Sequence, residues 1–237
     1  MTDHPSPTAT DRGQTLHWHG QTFTVLPDRA LHWHNAGSLV LTDPHFGKCD
    51  SFRAGGVPVP DGALQRDLDR IEVLMIATAA RRLIILGDFF HNSASRSPGV
   101  LNALALWIER VRPEHVLLVR GNHDRHAGDP PPEWGIDIRH ASCIWHGLTL
   151  WHDPADAPHS PAEPGLAGHV HPVVKLSEGR HSIGRLPCFY IQPNLITLPA
   201  FGSFTGGFAV HPDAARGERA IAVDGTQAMD VTPALRA

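Results

Sequence analysis

The spacing of hydrophobic residues along the first half of the chain predicts alternating strands and helices. Apolar residues recur every three or four positions in residues 62–82 and 100–111, which is typical of amphipathic helices. Each of these segments is followed by a continuous apolar run, residues 83–86 and 116–119, which is typical of a strand buried on both faces. Ser38–Leu41 is a further strand candidate. This alternation predicts βαβ units around a parallel sheet.

The second half has a different pattern, with short apolar segments separated by Gly, Pro and Asp, and it predicts a meander of strands. No linker or internal repeat divides the chain, so we expect one domain with two sheets over residues 16–237, after a disordered tail at residues 1–15. Residues 153–164 are predicted to form an exposed loop. The remaining strand candidates are residues 22–26, 30–33, 136–138, 148–151, 188–191, 195–198, 208–210, 220–223 and 229–231.

Composition excludes several classes of protein. A hydrophobic fraction of 41% with 19% charged residues is typical of a globular chain and excludes disordered and fibrous classes. The net charge of −4 argues against a face that binds nucleic acid by counterion release alone, so a phosphate-bearing partner would need bound metal. Three cysteines without CxxC spacing argue against a disulfide framework and predict a reducing compartment. With no membrane-length apolar run and no signal pattern, we expect a cytoplasmic location.

Polar clusters rich in Asp and His follow several predicted strands, in a chain that contains 18 histidines. They read TDPHFGK from residue 42, LGDFFH from 86, VRGNHDR from 119, LWHDP from 150 and AGHVHP from 167. Strand carboxyl ends share one edge of an open α/β sheet, so clusters far apart in sequence can converge there. The donors are oxygen and imidazole nitrogen, which suit Mn²⁺, Zn²⁺ or Fe²⁺. The candidate ligands are Asp43, His45, Asp88, Asn122, His152, His169 and His171.

Seven ligands are too many for one tetrahedral ion and suit two ions that share a bridging ligand. Asp88 is the natural bridge, because a carboxylate can contact two ions and imidazole cannot. Asp43 and His45 are two positions apart, so in an extended chain both face the same way and can hold one ion. His169 and His171 have the same spacing, although a sharp turn after Gly168 could direct them to different ions.

The ordered blocks D-x-H, G-D, G-N-H-D, H and G-H-x-H, between residues 43 and 171, resemble the calcineurin-like metallophosphoesterase superfamily. The resemblance implies a four-layer α/β/β/α sandwich of two mixed sheets, without a separate cap domain, and a dinuclear centre where the sheets meet. It also divides the ligands between two ions. One ion would be held by Asp43, His45, Asp88 and His171, and the other by Asp88, Asn122, His152 and His169.

A finer resemblance is to the ligase-associated DNA damage response endonuclease family, of the PdeM type. The strings DPHFGK, FRAGGVPVPDG from residue 52, GDFFH, RGNHDR, GHVHP, RLPCF from 185 and LPAFGSFTGG from 198 carry it. It implies a DNA endonuclease in DNA repair, with a ligase and a helicase as functional associates. Mn²⁺ is the expected metal, with Zn²⁺ or Fe²⁺ as alternatives. A phosphomonoesterase or a nucleotide or lipid-precursor pyrophosphatase is the alternative enzyme, while a binding scaffold would be expected to have damaged ligands.

The resemblance to the metallophosphoesterase superfamily also implies roles around the metals. A hydroxide between the two ions would attack phosphorus in line. His123 would assist the leaving group, and Asp124 would orient it or cap its turn. His91 occupies the place of an assisting histidine in the double-strand-break repair nucleases. Lys48 and Arg125 follow ligand clusters and would contact neighbouring phosphates of a polynucleotide.

Two other features are interpreted as structural. His17, His19, His32 and His34 alternate around tryptophans, and we expect exposed strand faces or a hairpin there rather than a second metal site. The segment GSFTGG from residue 202 is expected to form a tight turn near the edge of the sheet that carries the candidate ligands. It is not expected to be a phosphate loop, because a phosphate loop is followed by a helix and no helix is predicted here. We expect core positions for its neighbour Phe201 and for Phe204, with base stacking as the alternative.

Overall fold

A computed structural model describes residues 12–157, 163–178 and 181–236. Residues 1–11 of the predicted tail lie outside the described residues, as do residues 158–162 of the predicted loop. The first strand begins at Gln14, so residues 14 and 15 of the predicted tail belong to that strand. Within the described parts of the chain, no helix combines the length and apolar character that crossing a bilayer requires.

The first sheet contains seven strands that lie side by side in chain order. The first four pair antiparallel, and from the fourth onward the pairing is parallel. Parallel neighbours need a crossover, which the helices provide. The strands are β1 (Gln14–Trp18), β2 (Gln21–Leu26), β3 (Ala30–Trp33), β4 (Ser38–Leu41), β5 (Arg82–Ile85), β6 (His115–Val119) and β7 (Asp137–Arg139).

Four α-helices are described: α1 (Lys48–Ala54), α2 (Ala63–Thr78), α3 (Pro98–Val111) and α4 (Asn122–Ala127). α2 is shorter than the predicted segment, because Ala79 turns left-handed and Arg82 already starts β5. α3 begins with Ser97 as its cap, whose side chain accepts a hydrogen bond from Val100 N. α1 is not foreseen by the hydrophobic spacing, since Cys49 is its only buried residue.

The second sheet contains nine strands and is mixed, which corrects the predicted meander. The strands are β8 (Cys143–Trp145), β9 (Leu148–Leu150), β10 (Gly165–Ala167), β11 (Pro172–Glu178), β12 (His181–Ile191), β13 (Leu195–Thr197), β14 (Phe208–Ala209), β15 (Arg219–Val223) and β16 (Ala228–Asp230). β10 pairs in parallel with both β9 and β13, and β11 pairs in parallel with β14. The hydrophobic spacing missed β1, β8, β10, β11 and the first half of β12.

Successive side chains of a strand point to opposite faces of the sheet, so the hydrophobic core is divided into one layer under the helices and one between the sheets. Leu83 and Ile85 of β5 pack with α2 and α3, whereas Ile84 between them faces the second sheet. The outer face of the second sheet carries a small cluster that includes Val174 and is packed by Leu235 of a 3-10 helix, Thr232–Arg236. The sandwich of two mixed sheets is therefore confirmed, and among the described residues the helix that packs on the outer face of the second sheet is this 3-10 helix.

Candidate metal centre

The polar clusters meet where the two sheets adjoin. β4, β5 and β6 of the first sheet and β9 and β10 of the second each end just before a cluster. Side-chain donors of Asp43, His45 and His171 lie within 4.8 Å of one another, as do those of Asp88, His152 and His169. The structure therefore brings the sequence-predicted candidates together in two adjoining groups, here called the first cluster (Asp43, His45, His171) and the second cluster (Asp88, His152, His169).

Five of these six residues have left-handed backbone conformations, which are costly for residues other than glycine. The turns are held by backbone bonds across the sheet, from Asp43 N to Gly87 O and from His45 N to Asp88 O. Gly168 is required next to His169, because a Cβ there would overlap the Thr42 hydroxyl. The values of φ are 50° at Asp43, 46° at His45, 52° at Asp88, 67° at His169 and 51° at His171.

The first cluster contains two facing acceptor atoms. His171 Nδ1 donates to Gly206 O at 3.2 Å, so in the neutral ring Nε2 carries the lone pair. This Nε2 lies 3.1 Å from Asp43 Oδ1. Within the described chain, neither atom has a hydrogen-bond partner, although Asp43 is buried. A cation satisfies two such acceptors at once, so this pair fits a metal ion.

The charges of the first cluster fit the same interpretation. Burial opposes ionisation of Asp43, but His171 and the Thr42 hydroxyl hold the pKa of this carboxyl below its ordinary value. Burial lowers the pKa of His45 to about 3, with Lys48 contributing in the same direction. His45 is therefore neutral at physiological pH and keeps a lone pair for a metal.

The second cluster is organised around His152. Its Nδ1 donates to Leu86 O at 2.7 Å, which leaves Nε2 as the ligand atom. Nε2 lies 3.0 Å from Asn122 Oδ1, 3.2 Å from His169 Nδ1 and 3.4 Å from Asp88 Oδ1. Two donors ~2.1 Å from one ion and at right angles are ~3.0 Å apart, so these spacings suit a shared ion.

Asp88 belongs to the second cluster and also faces the first cluster. Its Oδ1 faces His152, while its Oδ2 lies 3.9 Å from His45 Nε2. His123 N donates to Oδ1 at 2.9 Å and helps to fix the carboxylate. Burial raises the pKa of Asp88 to about 6, and the charge of Asp43 adds to this. A carboxylate that is costly to ionise and faces both donor groups is placed to bridge two cations.

Two supporting residues were missed from sequence. The Thr42 hydroxyl lies 2.5 Å from Asp43 Oδ2, and Asp153 Oδ2 lies 3.5 Å from His169 Nε2. Such contacts orient metal ligands. The available signal was adjacency, because Thr42 precedes a candidate ligand and Asp153 follows one.

Of the predicted catalytic residues, His123 contacts Asp88, and His91 contacts His123. His123 Nε2 is 3.9 Å from Asp88 Oδ2, its Nδ1 donates to His91 O at 2.5 Å, and the two rings stack with centroids 5.1 Å apart. Burial lowers the pKa of His91 to about 4. Asp124 is fully buried and accepts hydrogen bonds from Gly121 N and Phe90 N, so it caps the turn before α4.

The two predicted phosphate contacts differ. Lys48 is half-buried near the clusters, where burial lowers its pKa. Its Nζ lies 5.9 Å from the Phe52 ring centroid. Arg125 is exposed on α4, and no contact between it and the candidate ligands is found in the described chain.

The tryptophan-flanked histidines form no metal cluster in the described part of the chain. His17 and His34 instead pair with the hydroxyls of Thr22 and Thr24. His32 corrects the expectation of exposed strand faces, because it is buried within β3. Its ring lies 4.2 Å from that of His34.

The fold and this centre define a calcineurin-like phosphoesterase, an enzyme class, and the model of that family matches residues 38–174. The chain belongs to this family, which confirms the resemblance noted in the sequence. Among solved structures, Pseudomonas putida nuclease MPE is similar at 35% identity, covering 92% of this chain and 99% of that one with a TM-score of 0.77. An Aquifex aeolicus protein of unknown function, AQ665, is 20% identical over 60% of this chain and 81% of its own, with a TM-score of 0.35. A comparison with curated proteins found no match.

Proposed function

We propose that this chain is a dinuclear metal-dependent phosphodiesterase that cleaves DNA. The observation that carries the dinuclear centre is the position of Asp88, whose two oxygens face different donor groups. One ion would be held by Asp43, His45, Asp88 and His171, and the other by Asp88, Asn122, His152 and His169. The chemistry that two such ions supply is hydroxide at neutral pH and neutralisation of charge around phosphorus. The oxygen and imidazole donors suit Mn²⁺, Zn²⁺ or Fe²⁺, and of these we propose Mn²⁺.

His123 is the proposed proton donor to the leaving oxygen. Because Nδ1–H of His123 donates to His91 O, the Nε2 atom of His123 is the one that can carry the transferred proton. The ring is partly exposed, so Nε2 can reach a substrate beside Asp88. His91 positions this ring through its carbonyl and by stacking. Asp124 acts through the backbone that it caps.

A phosphodiester substrate is favoured over a monoester by the similarity to a nuclease along most of the chain. Asn122 is exposed and no separate cap domain is present among the described residues, so an extended strand has access to the centre. Lys48 and Arg125 would contact neighbouring phosphates of this strand.

The test compares bis-p-nitrophenyl phosphate with p-nitrophenyl phosphate and with single-stranded, nicked and flapped DNA in Mn²⁺. Turnover of the diester and of DNA, without turnover of the monoester, is expected. Turnover of the monoester alone would favour the phosphomonoesterase alternative and overturn the proposal. A repair role beside a ligase and a helicase, in the cytoplasm, belongs to the same proposal. It rests on the family resemblance and on three free cysteines.

A further inference from the structure

The described chain exposes eight large hydrophobic side chains, and only two of these are aromatic. Both lie in one segment, residues 202–208, with Phe204 40% exposed and Phe208 67% exposed. Phe204 was expected in the core, which is true only of its neighbour Phe201. In the described chain, neither exposed ring stacks on another aromatic ring or under a cationic side chain. Two aromatic faces are therefore free to contact a ligand.

This segment, here called the aromatic rim (residues 202–208), is joined to the first cluster. His171 Nδ1 donates to Gly206 O, and Phe208 N donates to His171 O at 3.0 Å. Phe204 also lines a small cavity with His45 and Lys48. The aromatic rim therefore adjoins the centre, within reach of a strand whose phosphate is bound there.

The base of the rim is anchored. Ser203 donates to Asp67 through its hydroxyl at 2.5 Å and through its backbone N at 3.3 Å. Arg70 pairs with the same carboxylate and lies over the Phe201 ring, 4.0 Å from its centroid. Held in this way, the rim loses little conformational freedom when a ligand binds.

We propose that Phe204 and Phe208 form a stacking subsite for unpaired nucleobases next to the centre. Each base presents a π-face of similar size, so stacking suits a strand of any sequence. Lys48, which lines the same cavity as Phe204, supplies positive charge for the backbone of that strand. A base-paired duplex cannot use the subsite, because its bases are stacked on each other. This inference rests on the proposed action on DNA.

The test measures binding and cleavage separately, in Mn²⁺. Binding is followed by fluorescence anisotropy of a labelled, phosphorothioate-linked single strand, and cleavage with the ordinary strand of the same sequence. A second pair of strands replaces the bases by abasic residues. Phe204→Ala and Phe208→Ala are each expected to weaken binding of the base-containing strand about tenfold. They are expected to leave binding of the abasic strand unchanged.

Conservative variants and a matched control make the result specific. Phe204→Tyr and Phe208→Tyr should retain binding, and Leu106→Ala, which removes an exposed apolar side chain from α3, should have no effect. Thermal unfolding of each variant checks that it is folded. Equal binding of the base-containing strand by wild type and both alanine variants would overturn the subsite, as would an equal loss on the abasic strand. Binding by wild type without any cleavage would instead contradict the proposed function and leave the subsite standing.

Discussion

Asp43 Oδ1 and His171 Nε2 face each other at 3.1 Å as two acceptors without a shared hydrogen atom. Burial opposes protonation of His171, but the neighbouring Asp43 raises its pKa, so a proton and a metal ion compete for the place between these two atoms. A metal ion must displace that proton. We therefore expect Mn²⁺ binding to release protons and to weaken as the pH falls. Calorimetry in buffers of different ionisation enthalpy measures this, and binding enthalpies that are independent of the buffer would contradict it.

Substitution of the bridging residue tests the division into two clusters. Asp88→Asn keeps the size of the side chain but removes the negative charge that two cations need. We expect bound metal to fall from two ions per chain to one or fewer, together with loss of phosphodiesterase activity. Elemental analysis after desalting measures the metal content, with Asp69→Asn on the exposed face of α2 as the control. Two tightly bound ions in Asp88→Asn would argue against a bridging role.

His123→Ala tests the proposed proton donor apart from metal binding. His123 is not among the proposed ligands, so the variant is expected to keep its metal while kcat falls about 10²- to 10⁴-fold. The matched control is His126→Ala, an exposed histidine on the same helix. Equal kcat in His123→Ala and wild type at equal metal content would remove this role from His123.

His32 provides a pH test away from the centre. Burial, together with His34, lowers its pKa to about 4 from an ordinary value of 6.5. The unfolded chain therefore takes up this proton before the folded chain does, and stability is lost as the pH falls from 6.5 to about 4. We expect His32→Leu to show a smaller fall in Tm over this range than wild type. His17→Leu, at an exposed position of β1, should follow wild type, and identical Tm profiles for all three proteins would exclude the effect.

The sequence predicted the elements with strong patterns and missed those without them. Ser38–Leu41 is found as predicted, because all four of its residues are buried. Gly165–Ala167 was missed, since three residues rich in Gly and Ala carry no β-propensity and this strand depends on pairing with both neighbours. Burial of His32 depends likewise on tertiary packing.

The same contrast applies to the centre. The ordered sequence blocks predicted seven candidate metal ligands, because each block supplies residues whose donor atoms suit a metal ion. The structure brings these ligands together near Asp88. The orientation of each imidazole could not be predicted from the sequence. It is set by hydrogen bonds to carbonyls that are distant in the chain, such as Leu86 O for His152 and Gly206 O for His171. The exposure of Phe204 was also missed, since a single aromatic residue in a turn segment has no periodicity that indicates which side it faces.

The central claim is a pair of metal ions that share Asp88, and an anomalous difference map from a crystal grown with Mn²⁺ tests it most directly. We predict two peaks, one among Asp43, His45 and His171 and the other among Asn122, His152 and His169, with one Asp88 oxygen directed to each. A single peak, or two peaks with both Asp88 oxygens on the same ion, would contradict it.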